Sequence, residues 1–240
     1  ITSKNEYQTN DITIEVTKQK STSTKQKNNS IFVKASISKN EVFIGENVLI
    51  EYKLYSRING VNLESVEFPD IKGVWSEELE SDKNGYQATT EQINGVLYNV
   101  FILKKELVFP QTTGEIKILP VKLNLIIGRS FFDDGKELEI YSPERIINVK
   151  PLPYPKPNNF VNIVGDFKIS GDINHTTLKN NESLNYDITI SGKGNLKLIN
   201  ELPIKVPLDF ELYDPNITQK IKTNTFGMLG YKKFQYVIVP

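Results

Sequence analysis

Gly45-Glu46-Asn47-Val48-Leu49-Ile50-Glu51-Tyr52-Lys53-Leu54 reads as a polar turn followed by one strand. Val48, Ile50, Tyr52 and Leu54 fall on one side of it, Asn47, Leu49, Glu51 and Lys53 on the other. A period of two marks a half-buried antiparallel strand, because successive side chains point to opposite faces. The same pattern returns at Asn181-Glu182-Ser183-Leu184-Asn185-Tyr186-Asp187-Ile188-Thr189-Ile190. Upstream, the alternating run Ile31 to Ile37 plays the part of Phe167 and Ile169. Downstream, Leu103 to Pro110 (LKKELVFP) is matched by Lys233 to Pro240 (KFQYVIVP). A third echo pairs Asp11 to Val16 (DITIEV) with Glu144 to Val149 (ERIINV). Strands recurring in one order indicate a repeated unit.

The echoes divide the chain. Residues 1–29 hold the last strand of a preceding immunoglobulin-like module and a polar linker. Residues 30–150 form one β-sandwich. Residues 151–240 contain the connector Pro151-Leu152-Pro153-Tyr154-Pro155-Lys156-Pro157 and a second module, truncated at its C-terminal side. The connector reads as stiff and polyproline-II-like. Turn signals at Asn59-Gly60, Asn84-Gly85, Asn94-Gly95 and Asp134-Gly135 punctuate the strands. No long helical periodicity is present, which leaves room only for a short turn of helix at Asp133 to Lys136. The fold class is therefore all-β, with tandem immunoglobulin-like antiparallel β-sandwich domains. The orphan strand in residues 1–29 pairs with the complete module, exchanges between chains, or stays frayed.

The bulk numbers narrow the function. At 240 residues the chain suits two sandwiches better than one domain. Twenty-nine basic residues balance 29 acidic ones, so no net field attracts nucleic acid or anionic lipid. With Cys 0, disulfides, thiolate zinc sites, iron–sulfur clusters and a cysteine nucleophile are excluded. No run of about 18 apolar residues spans a bilayer, and Ile1 to Asn10 has no signal-peptide core. The start at Ile1 and the end just after Tyr236-Val237-Ile238-Val239 read as a piece of a longer protein.

Chemical constellations are sparse. His175 sits alone in a polar turn, without support for a triad or a zinc site. Glu77, Glu78, Glu80 and Asp82 read as a solvated run, and Asp133-Asp134 lacks EF-hand spacing. Ser191-Gly192-Lys193-Gly194-Asn195-Leu196 imitates a phosphate loop, but the strand-like Lys197-Leu198-Ile199 follows where a helix is needed. Its glycines are assigned to a turn. Trp75 is expected as a plug between the two sheets of the first module, with an exposed anchor as the alternative. Phe131-Phe132, in a loop, either contacts a partner or is buried under a neighbouring loop. The sequons at Asn174, Asn181 and Asn216 are chance matches if the chain is bacterial, as its Asn- and Lys-rich composition suggests.

The order of these segments resembles a known family. The second module runs from Pro151-Leu152-Pro153 through Val164-Gly165-Asp166-Phe167 and Ser191-Gly192-Lys193-Gly194-Asn195-Leu196 to Tyr213-Asp214-Pro215. The first carries Val42-Phe43-Ile44-Gly45-Glu46, Phe68-Pro69-Asp70, Trp75 and Leu107-Val108-Phe109-Pro110. Together they are similar to BatD, the oxygen-tolerance protein of the Bacteroides aerotolerance operon. The resemblance implies a periplasmic protein anchored to the inner membrane by a C-terminal helix that this chain does not include. It implies membrane-protein partners with von Willebrand factor A domains and a MoxR-type ATPase. It implies no catalytic residues and no cofactor. The expected function is a non-enzymatic interaction scaffold with Phe131 and Phe132 as candidate partner-binding residues. A carbohydrate- or surface-binding sandwich is the alternative, and a carboxylate hydrolase the third reading.

Overall fold

The computed structural model describes residues 30–80, 88–158, 160–161, 163–179 and 182–240. The orphan strand and its linker, the Asn84-Gly85 turn, Asp82, Tyr86 and the Asn181 sequon lie outside these residues.

The first unit is two facing layers. One layer has the order β1 (Ile31–Ile37), β3 (Val48–Ser56), β7 (Val96–Pro110), β5 (Val74–Glu78), and β6 (Ala88–Ile93) also pairs with β7. The other layer is built from β10 (Lys136–Tyr141), β9 (Lys122–Ile127) and β4 (Val61–Glu67), and from β2 (Glu41–Phe43), β11 (Arg145–Lys150) and β8 (Gly114–Ile118). Every pairing is antiparallel except the parallel β2–β11 contact. Pro120 separates β8 from β9, and Pro143 separates β10 from β11, because proline has no N–H for the ladder. Buried Ser142 bridges the break. Its N–H donates to the Val121 carbonyl and its Oγ accepts from the Val121 N–H, both at 3.0 Å.

The period-two residues meet between the layers. Val48, Ile50, Tyr52 and Leu54 of β3 pack with Val33 and Ala35 of β1, and with Ile118, Leu123, Leu125 and Ile147 opposite. Each such aliphatic side chain contributes about 1.5–3 kcal/mol through burial, against the entropy of ordering the chain. Between β3 and β7 a bulge pairs Tyr52 with Lys104 but Lys53 with Ile102. The extra residue, Leu103, turns into the core.

The second unit is a sheet of order β12 (Gly165–Ile173), β13 (Leu184–Gly194), β16 (Gly227–Val239). β14 (Glu211–Leu212) and β15 (Asn216–Asn224) both pair with β16. Ile188, Ile190, Phe234 and Tyr236 line its inner face. That face is covered by Leu196, Ile199 and Leu202 of the segment that leaves β13. Among the described residues no second sheet stands opposite it.

Three local expectations are corrected. Gly192 and Gly194 are not in a turn but inside β13, with φ of +148° and +150°. A Cβ at Gly192 would lie 2.1 Å from the Asp166 carbonyl, and one at Gly194 would lie 2.3 Å from the Phe167 ring. The glycines let β12 approach β13 and let Phe167 lie across it. Residues Leu196–Leu198 form a 3₁₀ turn rather than a strand, opened by Asn195, whose Oδ1 accepts from the Lys197 N–H at 3.2 Å. Asp133 to Lys136 is not helical: Asp133 bridges to Ser130, Gly135 has φ +79° with its N–H donating to Asp133 Oδ1, and Lys136 begins β10.

The repeat holds down to single hydrogen bonds. Ile31 faces Ser56 and Phe167 faces Gly192; Ile37 faces Ile50 and Ile173 faces Tyr186. Each second member lies 136 positions beyond its counterpart. The Leu49 N–H donates to Ser38 Oγ at 2.9 Å, and at the same offset the Asn185 N–H donates to Asn174 Oδ1 at 2.8 Å. The Phe43 N–H donates to Glu46 Oε2 at 2.8 Å, and the Lys179 N–H donates to Glu182 Oε2 at 2.9 Å. The repeated Glu, at 46 and 182, therefore closes the turn before each central strand.

Candidate functional site

Three surfaces carry enough chemistry to consider: the junction of the units, a loop tip on the first, and a polar groove on the second.

The junction is apolar with a charged latch. Leu79, Leu107 and Phe109 of the first unit enclose Met228 of the second, with Leu49, Trp75 and Ile221 packed around them. Trp75 is thus not a plug between the two sheets of the first unit. On β5 it alternates with Val74, which packs on the sandwich core, so the indole faces outward. It meets the Phe109 ring edge-on at 5.5 Å, and Lys197 Nζ stands 5.9 Å above it. Glu77, two residues on and on the same side, accepts from Lys197 Nζ and, at 2.9 Å, from Thr223 Oγ1. Glu78 and Glu80 are exposed. Sequence reasoning did not find this latch, because neither Lys197 nor Thr223 carries any local mark of a partner in another unit.

The loop tip holds the sequence candidates. Phe131 and Phe132 are 95% and 93% exposed, so no neighbouring loop covers them. Their rings meet edge-on at 5.0 Å. The loop is closed by the Ser130–Asp133 bridge and by Asp133 accepting from Gly135. Two adjacent phenyl rings in water on a tied loop form an apolar knob of the kind that anchors protein contacts.

The groove lies on the outer face of the second unit and has a volume of about 490 Å³. Asp172, Asp187, Gln235 and Asn216 are directly opposed across β12, β13, β16 and β15. The Asp187 carboxyl is held below the usual carboxylate range, first by Lys233, 2.7 Å away, and then by Gln235. A carboxyl fixed as an anion cannot serve as the proton donor of a glycosidase pair. His175 is exposed in the loop after β12. Among the described residues no group of three His, Cys, Asp or Glu side chains could hold a metal. No helix among them is long and apolar enough to cross a membrane.

Residues 172–240, from the end of β12 through β16, match the family model described as a BatD DUF11 like domain. Over these residues the second unit is similar to BatD, a BatD-like module. The match supports assigning the chain to the BatD family, the resemblance already carried by the glycine-strand and proline-connector segments. No curated protein matches the sequence. The matched residues supply the polar groove, the glycines Gly192 and Gly194 of β13, and Met228, the residue enclosed at the junction.

Proposed function

We propose that this chain is a non-enzymatic protein-interaction scaffold of an aerotolerance or envelope-stress assembly. It works in the periplasm, tethered to the inner membrane in the full-length protein. Its partners are membrane proteins with von Willebrand factor A domains, acting with a MoxR-type ATPase. The BatD-like module supports the aerotolerance association. The exposed Phe131-Phe132 knob supports a protein as the ligand, because paired aromatic rings gain more by desolvation against a protein surface than in water. The packed junction supports a rigid arm that presents the knob in a fixed direction. A glycan platform would need an open aromatic plane, and Trp75 is half-buried at the junction beside Phe109 and Lys197. That placement weighs against the carbohydrate reading.

Calorimetry with a purified A-domain protein from the same operon tests the proposal. Binding is expected, and Phe131→Ala/Phe132→Ala should weaken it about thirtyfold or more, the range of a hot-spot anchor. No binding by the intact protein would remove the scaffold reading. Binding untouched by the double substitution would move the site away from this loop.

A further inference from the structure

The repeat breaks on the outer face of the two sheets, the face turned away from each core. In the first unit Phe32, Tyr55, Val100 and Thr89 are directly opposed across β1, β3, β7 and β6. The matching rung of the second unit is Lys168, Ser191, Tyr231 and Lys220, across β12, β13, β16 and β15. On the next rung Glu91 stands opposite Tyr98 in the first unit, and Lys193, Leu229 and Lys222 stand abreast in the second.

In the first unit these positions close on themselves. Phe32 stacks on Tyr55 at 4.8 Å and meets Tyr98 edge-on at 5.3 Å, and Tyr55, Tyr98 and Val100 are buried. Glu91 accepts from Lys53 and from Tyr55. In the second unit lysine or serine stands in place of Phe32, Tyr55 and Glu91. Tyr231 is 41% exposed where Val100 is 0%, and Leu229 is 59% exposed where Tyr98 is 5%. Lys168, Lys193, Lys220 and Lys222, all exposed, flank them on both sides. None of the four is in an ion pair among the described residues; the ion pairs of this unit are made by Lys197 and Lys233. The carboxylate on these two rungs is Asp166, opposite Lys193.

We infer that this face binds an acidic segment of a partner protein, laid extended along β16. Side chains on one face of a strand repeat about every 7 Å, and neighbouring strands lie about 5 Å apart. Leu229 and Tyr231 thus present two apolar points at the spacing of alternate side chains in an extended chain, with cations one and two strands to either side. Apolar side chains of the segment cover Leu229 and Tyr231, and its carboxylates reach the lysines. A small apolar centre inside a charged rim is the anatomy of a protein interface. A bilayer fits less well. Lysine stems outreach a leucine, so a flat anionic surface meets the ammonium groups before the apolar pair reaches acyl chains. Single-stranded nucleic acid wants a series of stacking rings, and these rungs offer Tyr231 alone. The balanced charge of the whole chain conceals the face, because its lysines come from three strands. It lies on the other unit from the Phe131-Phe132 loop and does not depend on the ligand proposed for that loop.

Fluorescence anisotropy with the intact protein and a labelled Glu-Glu-Phe-Glu-Phe-Glu-Glu peptide tests the inference. Saturable binding is expected, with Kd on the order of 100 µM, weakening at least fivefold as salt rises from about 50 to about 300 mM. Lys220→Glu/Lys222→Glu should weaken it at least tenfold and Tyr231→Ser at least threefold. Lys117→Glu, at an exposed position of β8, should leave it unchanged. The double lysine variant should gain binding to the same peptide with lysine in place of glutamate. Far-UV circular dichroism of each variant separates loss of binding from loss of fold. The assay contains no A-domain protein, so its outcome is independent of the calorimetry above. No saturable binding at millimolar concentration, or binding indifferent to the double lysine variant, overturns the inference. Tighter binding to phosphatidylglycerol vesicles or to oligothymidylate than to the peptide overturns it too. Reversible self-association in sedimentation velocity that Lys220→Glu/Lys222→Glu abolishes would give the face to a second copy, with the same result.

Discussion

Thr223 Oγ1 donates a 2.9 Å hydrogen bond to Glu77 Oε1, joining β15 of the BatD-like module to β5 of the first unit. Lys197 occupies the other oxygen of the same carboxylate. One side chain of the first unit therefore holds two separate segments of the second, beside the buried Met228. The two units should unfold together. Met228→Ala should cost about 2–4 kcal/mol, and with Glu77→Gln it should split a single thermal transition into two by calorimetry. Two transitions in the unaltered protein would contradict the coupling.

The glycines of β13 give a sharper expectation. Gly192→Ala or Gly194→Ala places a methyl group within 2.1 or 2.3 Å of β12 atoms, at a φ that L-residues rarely adopt. Each should destabilise the BatD-like module by roughly 2 kcal/mol or more. Gly95→Ala, in an open turn with nothing near its Cβ direction, should cost less. Urea titration of the three variants ranks them, and equal costs would remove the close-approach argument.

Tyr52 is fully buried in the first core, its ring edge-on to Phe68 at 5.1 Å. Its hydroxyl has no hydrogen-bond partner among the described residues. Burial, and then the charge of Glu106, push its pKa far above the ordinary tyrosine value. Tyr52→Phe removes the unsatisfied hydroxyl and keeps the ring. Stability should rise by about 1 kcal/mol. A loss of stability on chemical denaturation would show that the hydroxyl has a partner.

Acid should loosen both units. Glu91 is held below the usual carboxylate range by Lys53, with Tyr55 as a further donor. Asp187 is lowered by Lys233 and then Gln235. The unfolded chain thus binds more protons than the folded one in the acid range. The contribution of both groups is complete above the ordinary carboxylate values, about pH 4, and is lost as pH falls through their lower folded values. Glu91→Gln/Asp187→Asn should flatten the pH dependence of the denaturation midpoint below pH 4. An unchanged slope would show that other carboxyls carry it.

The β-structure and its repetition were legible because alternation is a local signal. The Gly45 to Leu54 and Asn181 to Ile190 segments announce strands, turns and even register, since a shift of one residue would put every apolar side chain in water. The charge balance and the missing cysteines likewise needed no coordinates. Trp75, Glu77 and the glycines at 192 and 194 were misread for one reason. An outward-facing aromatic, an acidic residue in an acidic run and a glycine in a polar stretch look alike whether they meet solvent or another segment. Their partners, Phe109, Lys197, Thr223 and Asp166, are set by how strands stack and how units abut. The exposure of Phe131 and Phe132 is of the same kind. Sequence determined which residues can face a core, through the two-residue period of the backbone. Only the tertiary structure decided which of those faces is covered, because covering depends on residues distant in the chain.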